Sequence, residues 1–214
     1  RLSMHEKIAM KEMLNQEQVF NMHRFLMDIL KYTLLFEGSG MLLLALRFVP
    51  EYGFLSGGFK AMFIAVSAFC NAGFDLMGKN EPYSSLTLYY DDVLVNVVIM
   101  ALIIIGGIGF IVWDDISNHK WNMKKYMLHT KIVLAMSLFL IIAGSICFYF
   151  FEYQNLCGLD AKGQFLASVF GAVTPRTAGF NTIDTGAYSE AGRMLTVVLM
   201  FIGGSPGSTA GGIK

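Results

Sequence analysis

Charge is scarce in this chain: only 15% of its 214 residues are Asp, Glu, Lys or Arg, against about 25% in ordinary soluble domains. The charges also cancel, 16 basic against 16 acidic. No basic patch interleaves with aromatics, so nucleic acid is excluded as a partner. Cysteine occurs at only 3 positions. Cys70, Cys147 and Cys157 form an odd set without C-x-x-C spacing, which speaks against a disulfide framework or a structural metal and leaves Cys70 and Cys147 as small buried hydrophobes. Histidine is equally sparse. His5, His23, His119 and His129 lie scattered on charged segments, with no H-E-x-x-H, no G-x-S-x-G and no paired intramembrane aspartates, so the chain does not read as an enzyme and no bound cofactor is expected. Asp114-Asp115 reads as a pair capping turns rather than as a metal site. The opening "RLSMHEKIAMKEMLNQ" is charged and amphipathic, which is no secretory leader.

What is abundant is apolar: 55% of residues are hydrophobic and 18 are Phe, the balance of a membrane protein. Residues 93–113 and 132–151 are each long and uncharged enough to cross a hydrocarbon core of about 30 Å. Residues 33–49 form a third, shorter candidate that carries Glu37 and Arg47. The arginine can snorkel to an interface, whereas Glu37 lies deep and must pair with a polar group of the bundle or border an ion path. The runs 61–70 and 166–173 are too short to cross, and each ends in a glycine turn, "CNAGFD" and "TPRTAGFN". Irregular backbone at membrane depth survives only where protein shields it or a watery cavity meets it, so both read as re-entrant loops. The run 194–202 is also short and breaks at Gly203.

The sequence ends "GGSPGSTAGGIK". A Walker loop needs Gly-Lys-Ser/Thr four residues after its first glycine, and Ile213 stands where the lysine belongs, so the nucleotide reading fails on spacing. The absence of an initiator Met and the end inside a glycine run lead us to expect a fragment. Gly203, Gly204, Ser205, Pro206, Gly207, Ser208, Thr209, Ala210, Gly211 and Gly212 are expected to interrupt an inner membrane helix.

An internal repeat supports that placement. Gly38-Ser39 matches Gly144-Ser145, Phe59 matches Phe165, and Ala72-Gly73-Phe74 matches Ala178-Gly179-Phe180, all about 106 positions apart. At a slightly shorter offset Ile105-Gly106-Gly107 matches Ile202-Gly203-Gly204. The expected architecture is an all-α polytopic membrane protein built of tandem units, each an outer helix, a short pore helix, a glycine turn and an inner helix. The division we expect is 1–29, a cytoplasmic amphipathic segment; 30–113, one pore unit; 114–130, a cytoplasmic linker rich in lysine; and 131–214, another unit. Lysine and arginine in the leading segment and linker place both inside the cell. Acidic residues flanking the turns, among them Glu51, Glu81, Asp91, Asp92, Glu152, Asp160, Asp184 and Glu190, would lend a modest negative field to an outer mouth. Met194 and Met200 are expected to fill core gaps.

The turns have a chemistry of their own. A cation entering a membrane must replace its water shell, and glycine turns let successive carbonyls point one way without competing side-chain charge. A pore helix ending at the turn adds the partial negative charge of its C-terminus. Asn71, Ala72 and Gly73, and in the repeat Thr177, Ala178 and Gly179, are therefore the expected filter strips, with Phe74 and Phe180 wedged behind them.

These segments resemble the membrane subunit of the Trk/Ktr/HKT potassium-transporter superfamily, Ktr-type (NtpJ-like) branch. The resemblance rests on "SAFCNAGFDLMG", "GGIGFIVWDDI", "TPRTAGFNTID" and "GGSPGSTAGGIK", in that order along nearly the whole chain. It implies four pore units around one K⁺ pathway, of which this chain supplies the second and most of the third. It further implies K⁺ held by the carbonyls of the filter residues, and a gate at Gly203 through Gly212. Beyond the chain it implies a homodimer in the bacterial plasma membrane and a cytosolic ring of nucleotide-binding regulatory subunits. A Na⁺-coupled or Na⁺-selective relative stays open as an alternative, with Na⁺ as a potential activator, and so does a passive membrane scaffold. Lys214 would stand near the exit.

Overall fold

The structure, a computed structural model, describes residues 22–78, 84–120 and 122–213. The amphipathic segment up to residue 21, Glu81 and Lys214 lie outside that set. Among the described residues the secondary structure is entirely helical.

Helix α1 (Met22–Tyr52) runs unbroken for 31 residues, so the expected boundary at 29/30 is no boundary in the backbone. Its stretch Phe25–Tyr52 is long and apolar enough to cross a membrane. Helix α2 (Phe54–Phe69) returns against it, turning at Gly53 with φ 81°. The two backbones cross so closely at Gly57 that a Cβ there would lie 2.4 Å from the Phe48 carbonyl oxygen. At 16 residues, or about 24 Å, α2 falls short of a membrane crossing. It nevertheless starts earlier than the apolar run indicates, because Lys60 is buried within it, its ammonium 3.6 Å from the centre of the Tyr52 ring. A cation on an aromatic face is tolerated where a bare one is not.

Helix α3 (Val93–Ile108) is capped by Asp92, whose carboxylate accepts from the Val95 amide and pairs with Arg47 at 2.7 Å. The expectation of one continuous span over 93–113 is corrected here. The helix breaks at Gly109 (φ 102°), and α4 (Phe110–His119) leaves at 93°. Hydropathy runs straight through the break, and the cause is tertiary: the Phe110 amide is taken up by the Gly207 carbonyl at 2.9 Å. Asp115 is buried and accepts from the Met127 amide at 2.9 Å, capping α5 (Leu128–Phe151), with His119 Nδ1 also 2.9 Å away. For Asp115 this is the capping role read for the aspartate pair.

Helix α5 spans 24 residues and is the second helix fit to cross a membrane. After the single turn α6 (Tyr153–Leu156), α7 (Ala161–Val173) packs back on α5 as α2 does on α1. Asp160 caps α7, accepting from the Gly163 amide at 2.9 Å. Helix α8 (Glu190–Ile202) follows, capped by Ser189. The chain therefore repeats outer helix, pore helix, turn, inner helix, and the two copies meet where α3 packs on α7. Phe59 and Phe165 match in exposure as in sequence, at 55% and 67%.

Several side chains differ from expectation. Cys70 is exposed and Cys147 half-buried, so neither is a core residue. Met194 and Met200 are exposed on the same apolar face of α8 as Val197 and Phe201, outside the core. The acidic flanks are mostly structural rather than a free negative rim. Asp92 and Asp160 cap helices, Asp184 caps a short turn by accepting from Gly186, and Glu51 pairs with Arg47 at 3.0 Å. Glu152 is fully buried and accepts from the Ser189 amide and hydroxyl at 2.9 and 2.7 Å, fixing the start of α8 where the helix dipole favours a negative charge. Burial beside Glu152 and Asp184 pushes the Tyr188 phenol above its ordinary pKa, so it stays neutral.

Candidate functional site: two glycine turns and an intramembrane loop

Both pore helices end shortly before a predicted strip, α2 at Phe69, one residue short of it, and α7 at Val173, three residues short. Each strip then takes a backbone shape that ordinary residues avoid. Asn71 and Gly73 have φ of 50° and 74°, and Thr177 and Gly179 have φ of 71° and 89°. The alanine between each pair is not left-handed. Alternation of handedness turns successive carbonyls toward one side, which an α-helix or a strand cannot do. The pattern is identical in the two strips although their first residues are Asn and Thr.

The strips also face one another. A Cβ on Gly73 would lie 2.3 Å from the Ala178 carbonyl oxygen and 3.0 Å from the Gly179 Cα, and one on Gly179 would lie 3.3 Å from the Gly73 Cα. Residues 106 positions apart in sequence thus come together with no room for a side chain at Gly73 and only a tight, positive-φ position at Gly179. Further hydrogen bonds hold the seam. The Leu86 amide donates to the Asn181 carbonyl at 3.0 Å, and the Asn181 amide donates to Ser85 Oγ at 3.4 Å; within the second strip the Thr174 hydroxyl donates to the Phe180 carbonyl. The two phenylalanines differ. Phe180 is buried in the core, whereas Phe74 is 69% exposed. Half-buried Glu37 is reached by the exposed Cys70 thiol at 3.7 Å, a weak polar partner.

Residues 203–212 form a compact non-helical loop with Gly203, Gly207 and Gly212 at φ 67°, 68° and 98°. Its neck is closed by the Gly204 amide donating to the Gly211 carbonyl at 3.0 Å. Most of its bonds go outward rather than within the loop. The last carbonyls of α3, orphaned by the break at Gly109, accept from it. The Ser205 amide and hydroxyl reach Gly107 at 3.0 and 3.1 Å, and the Thr209 amide reaches Gly106 at 3.3 Å. Ser205 also donates to the Ile108 carbonyl. Two interrupted inner helices therefore satisfy each other's backbone groups, which apolar surroundings require.

The loop bonds to the end of the first pore helix and to the second strip. Thr209 Oγ1 donates to the Phe69 carbonyl at 2.9 Å at the end of the first pore helix, and the Gly211 amide donates to Thr177 Oγ1 at 2.9 Å in the second strip. Arg176, buried beside Thr177, donates to the Gly203 carbonyl at 3.3 Å and to Ser137 Oγ at 3.1 Å. Sequence reasoning missed Arg176. The only signal available was a charged residue inside an otherwise apolar turn. The Asn71 amide group, in the register of Thr177, is buried with no hydrogen-bond partner among the described residues.

The arrangement matches a known sequence pattern: that of the cation transport protein TrkH covers residues 3–214. The chain belongs to the TrkH cation transport family. It is 42% identical to the "Potassium/sodium uptake protein NtpJ" of Enterococcus hirae, over all of this chain and 47% of that protein. It is 39% identical to the "Ktr system potassium uptake protein B" of Bacillus subtilis, again over all of this chain and 47% of that protein. The chain spans about half the length of the curated relatives it matches. Its fold is that of the crystal structure of the potassium transporter TrkH from Vibrio parahaemolyticus, at a TM-score of 0.68 and 18% identity, covering 96% of this chain and 42% of that one. The TrkH-family relatives are named as transporters rather than enzymes. Family and apolar helices together make this a multi-pass membrane protein.

Proposed function

We propose that this chain forms part of a K⁺ uptake path in a bacterial plasma membrane, with the strips Asn71 to Phe74 and Thr177 to Phe180 lending backbone carbonyls to dehydrated K⁺ and the loop Gly203 to Gly212 as the gate below them. The observation that carries the reading is the shared left-right alternation of φ in two facing strips, each at the end of a short pore helix. Support comes from the names of the relatives, which include potassium and sodium uptake. Because the chain covers about half of them, two further units complete the pore. A homodimer and a cytosolic nucleotide-binding ring acting on the loop complete the transporter, and the membrane chain itself binds no nucleotide. Na⁺ acts as an activator rather than as the main cargo.

The test is ⁸⁶Rb⁺ and ²²Na⁺ flux into proteoliposomes holding the full-length polypeptide, wild type beside Gly179→Ser. A serine at φ 89° with its Cβ 3.3 Å from the Gly73 Cα must move the strip, so we expect Rb⁺ preference over Na⁺ to fall about tenfold, a change of about 1.4 kcal/mol. Unaltered preference removes the filter assignment.

A further inference from the structure

We propose that Arg176 and Thr177 form a latch holding both stems of the 203–212 loop, so that filter and gate move as one hydrogen-bonded unit. The proposal rests on the filter and gate reading above and adds the residues that join them.

The geometry is specific. The loop leaves α8 at Gly203 and completes its turn at Gly211, and the Gly204 to Gly211 bond pinches these stems together. The entering stem is held by Arg176 through the Gly203 carbonyl, and the leaving stem by Thr177 through the Gly211 amide. These two clamps are consecutive residues of one filter strip. Gly203 is buried, so Arg176 satisfies a carbonyl that would otherwise be orphaned, whereas Gly211 is exposed and Thr177 fixes the direction of its amide.

Each clamp also sits in a state that needs its partner. The Arg176 guanidinium is buried with no carboxylate bridge among the described residues. Its charge rests on the carbonyl at the C-terminus of α8, the negative end of that helix. Thr177 is β-branched yet holds φ 71°, a conformation that persists only where its surroundings over-determine it. Withdrawing the loop removes the Gly211 donor from Thr177 and the Gly203 acceptor from Arg176. The strip then loses what fixes its left-handed start, and the alternation that aligns its carbonyls is released. The latch thus makes Arg176 and Thr177 positioning residues: they act on the ion through the strip backbone and on the gate through its stems.

The experiment measures resting ⁸⁶Rb⁺ flux and the Rb⁺/Na⁺ ratio of the full-length polypeptide in proteoliposomes without any cytosolic subunit. Thr177→Val removes one hydrogen bond, and we expect resting flux to rise about fivefold and the Rb⁺/Na⁺ ratio to fall about fivefold. Thr177→Ser, which keeps the acceptor oxygen, rescues both readouts. Arg176→Lys keeps the charge but not the fork that reaches Gly203 and Ser137 together, and raises resting flux in the same way. A measurement on unmutated protein guards against variants that fail to fold: hydrogen exchange across 203–213 is slower in K⁺ than in Na⁺ when the strip and loop are coupled. Equal exchange in the two ions, or wild-type flux and ratio in Thr177→Val, overturns the latch. Deletion of 203–212 separates this from the underlying reading. Constitutive flux in the deletion with a silent Thr177→Val overturns the latch alone, whereas a deletion without effect overturns the gate and the latch together.

Discussion

Gly73→Ala is expected to abolish selective Rb⁺ flux in the full-length transporter, lowering it about a hundredfold. Two independent costs meet at this position. Alanine in the left-handed region costs about 1–2 kcal/mol, and Gly73 holds φ 74°. The new Cβ would also lie 2.3 Å from the Ala178 carbonyl oxygen, well inside the ~3.5 Å at which non-bonded heavy atoms meet comfortably. That atom belongs to the backbone of the opposite strip and cannot rotate away. Either Gly73 leaves the left-handed region or the Ala178 carbonyl turns from the path, and both destroy the alignment a dehydrated ion needs. A barrier raised by about 3 kcal/mol corresponds to a hundredfold loss. Gly38→Ala is the matched control, since a Cβ there meets nothing within 4 Å, and in a helix the alanine is favourable. Flux assays on the two variants at equal protein content decide the matter.

Gly106→Ala is expected to unseat the loop. The added Cβ would lie 2.0 Å from the Phe69 carbonyl oxygen and 2.8 Å from Thr209 Oγ1. Phe69 ends the first pore helix, and Thr209 is the loop residue that donates to it, so the methyl group is driven between the loop and its seat. We expect flux in the absence of any activator to rise to the activated level, and the thermal midpoint of the purified protein to fall by about 4 °C or more. The neighbouring Gly107→Ala meets Asn71 Nδ2 at 3.5 Å and the Ala210 Cβ at 3.8 Å, ordinary contacts, and should leave both quantities close to wild type. A Gly106→Ala protein that stays closed and fully stable would contradict the seat.

The contrast between these glycines marks how far the sequence can be read. Gly73 and Gly179 were legible because a turn motif recurs at the end of two short apolar runs, and local spacing alone identifies such a repeat. The interruption at Gly203 was legible for the same reason, since Pro206 and the glycines around it cannot continue a helix. The break at Gly109 was not. No proline or polar run marks it, and the helix ends because loop residues nearly a hundred positions away accept and donate in place of its own next turn. The early start of α2 was hidden by Lys60, a charge that hydropathy places outside the membrane but that Tyr52 shelters. Arg176 was passed over because burial of a guanidinium depends on which carbonyl faces it, and only the fold brings Gly203 there. Acidic residues counted as a field proved to be caps because a helix start needs an acceptor wherever amides are left over. Local backbone chemistry could thus be read from the sequence, whereas pairing between units could not.

The account stands on the claim that the two facing strips line one ion path. The most direct measurement is anomalous diffraction from crystals of the full-length protein grown in Rb⁺. The account predicts Rb⁺ density flanked by the backbone carbonyls of residues 71–73 and 177–179. Clear Rb⁺ density elsewhere in the molecule with none between these strips would contradict it.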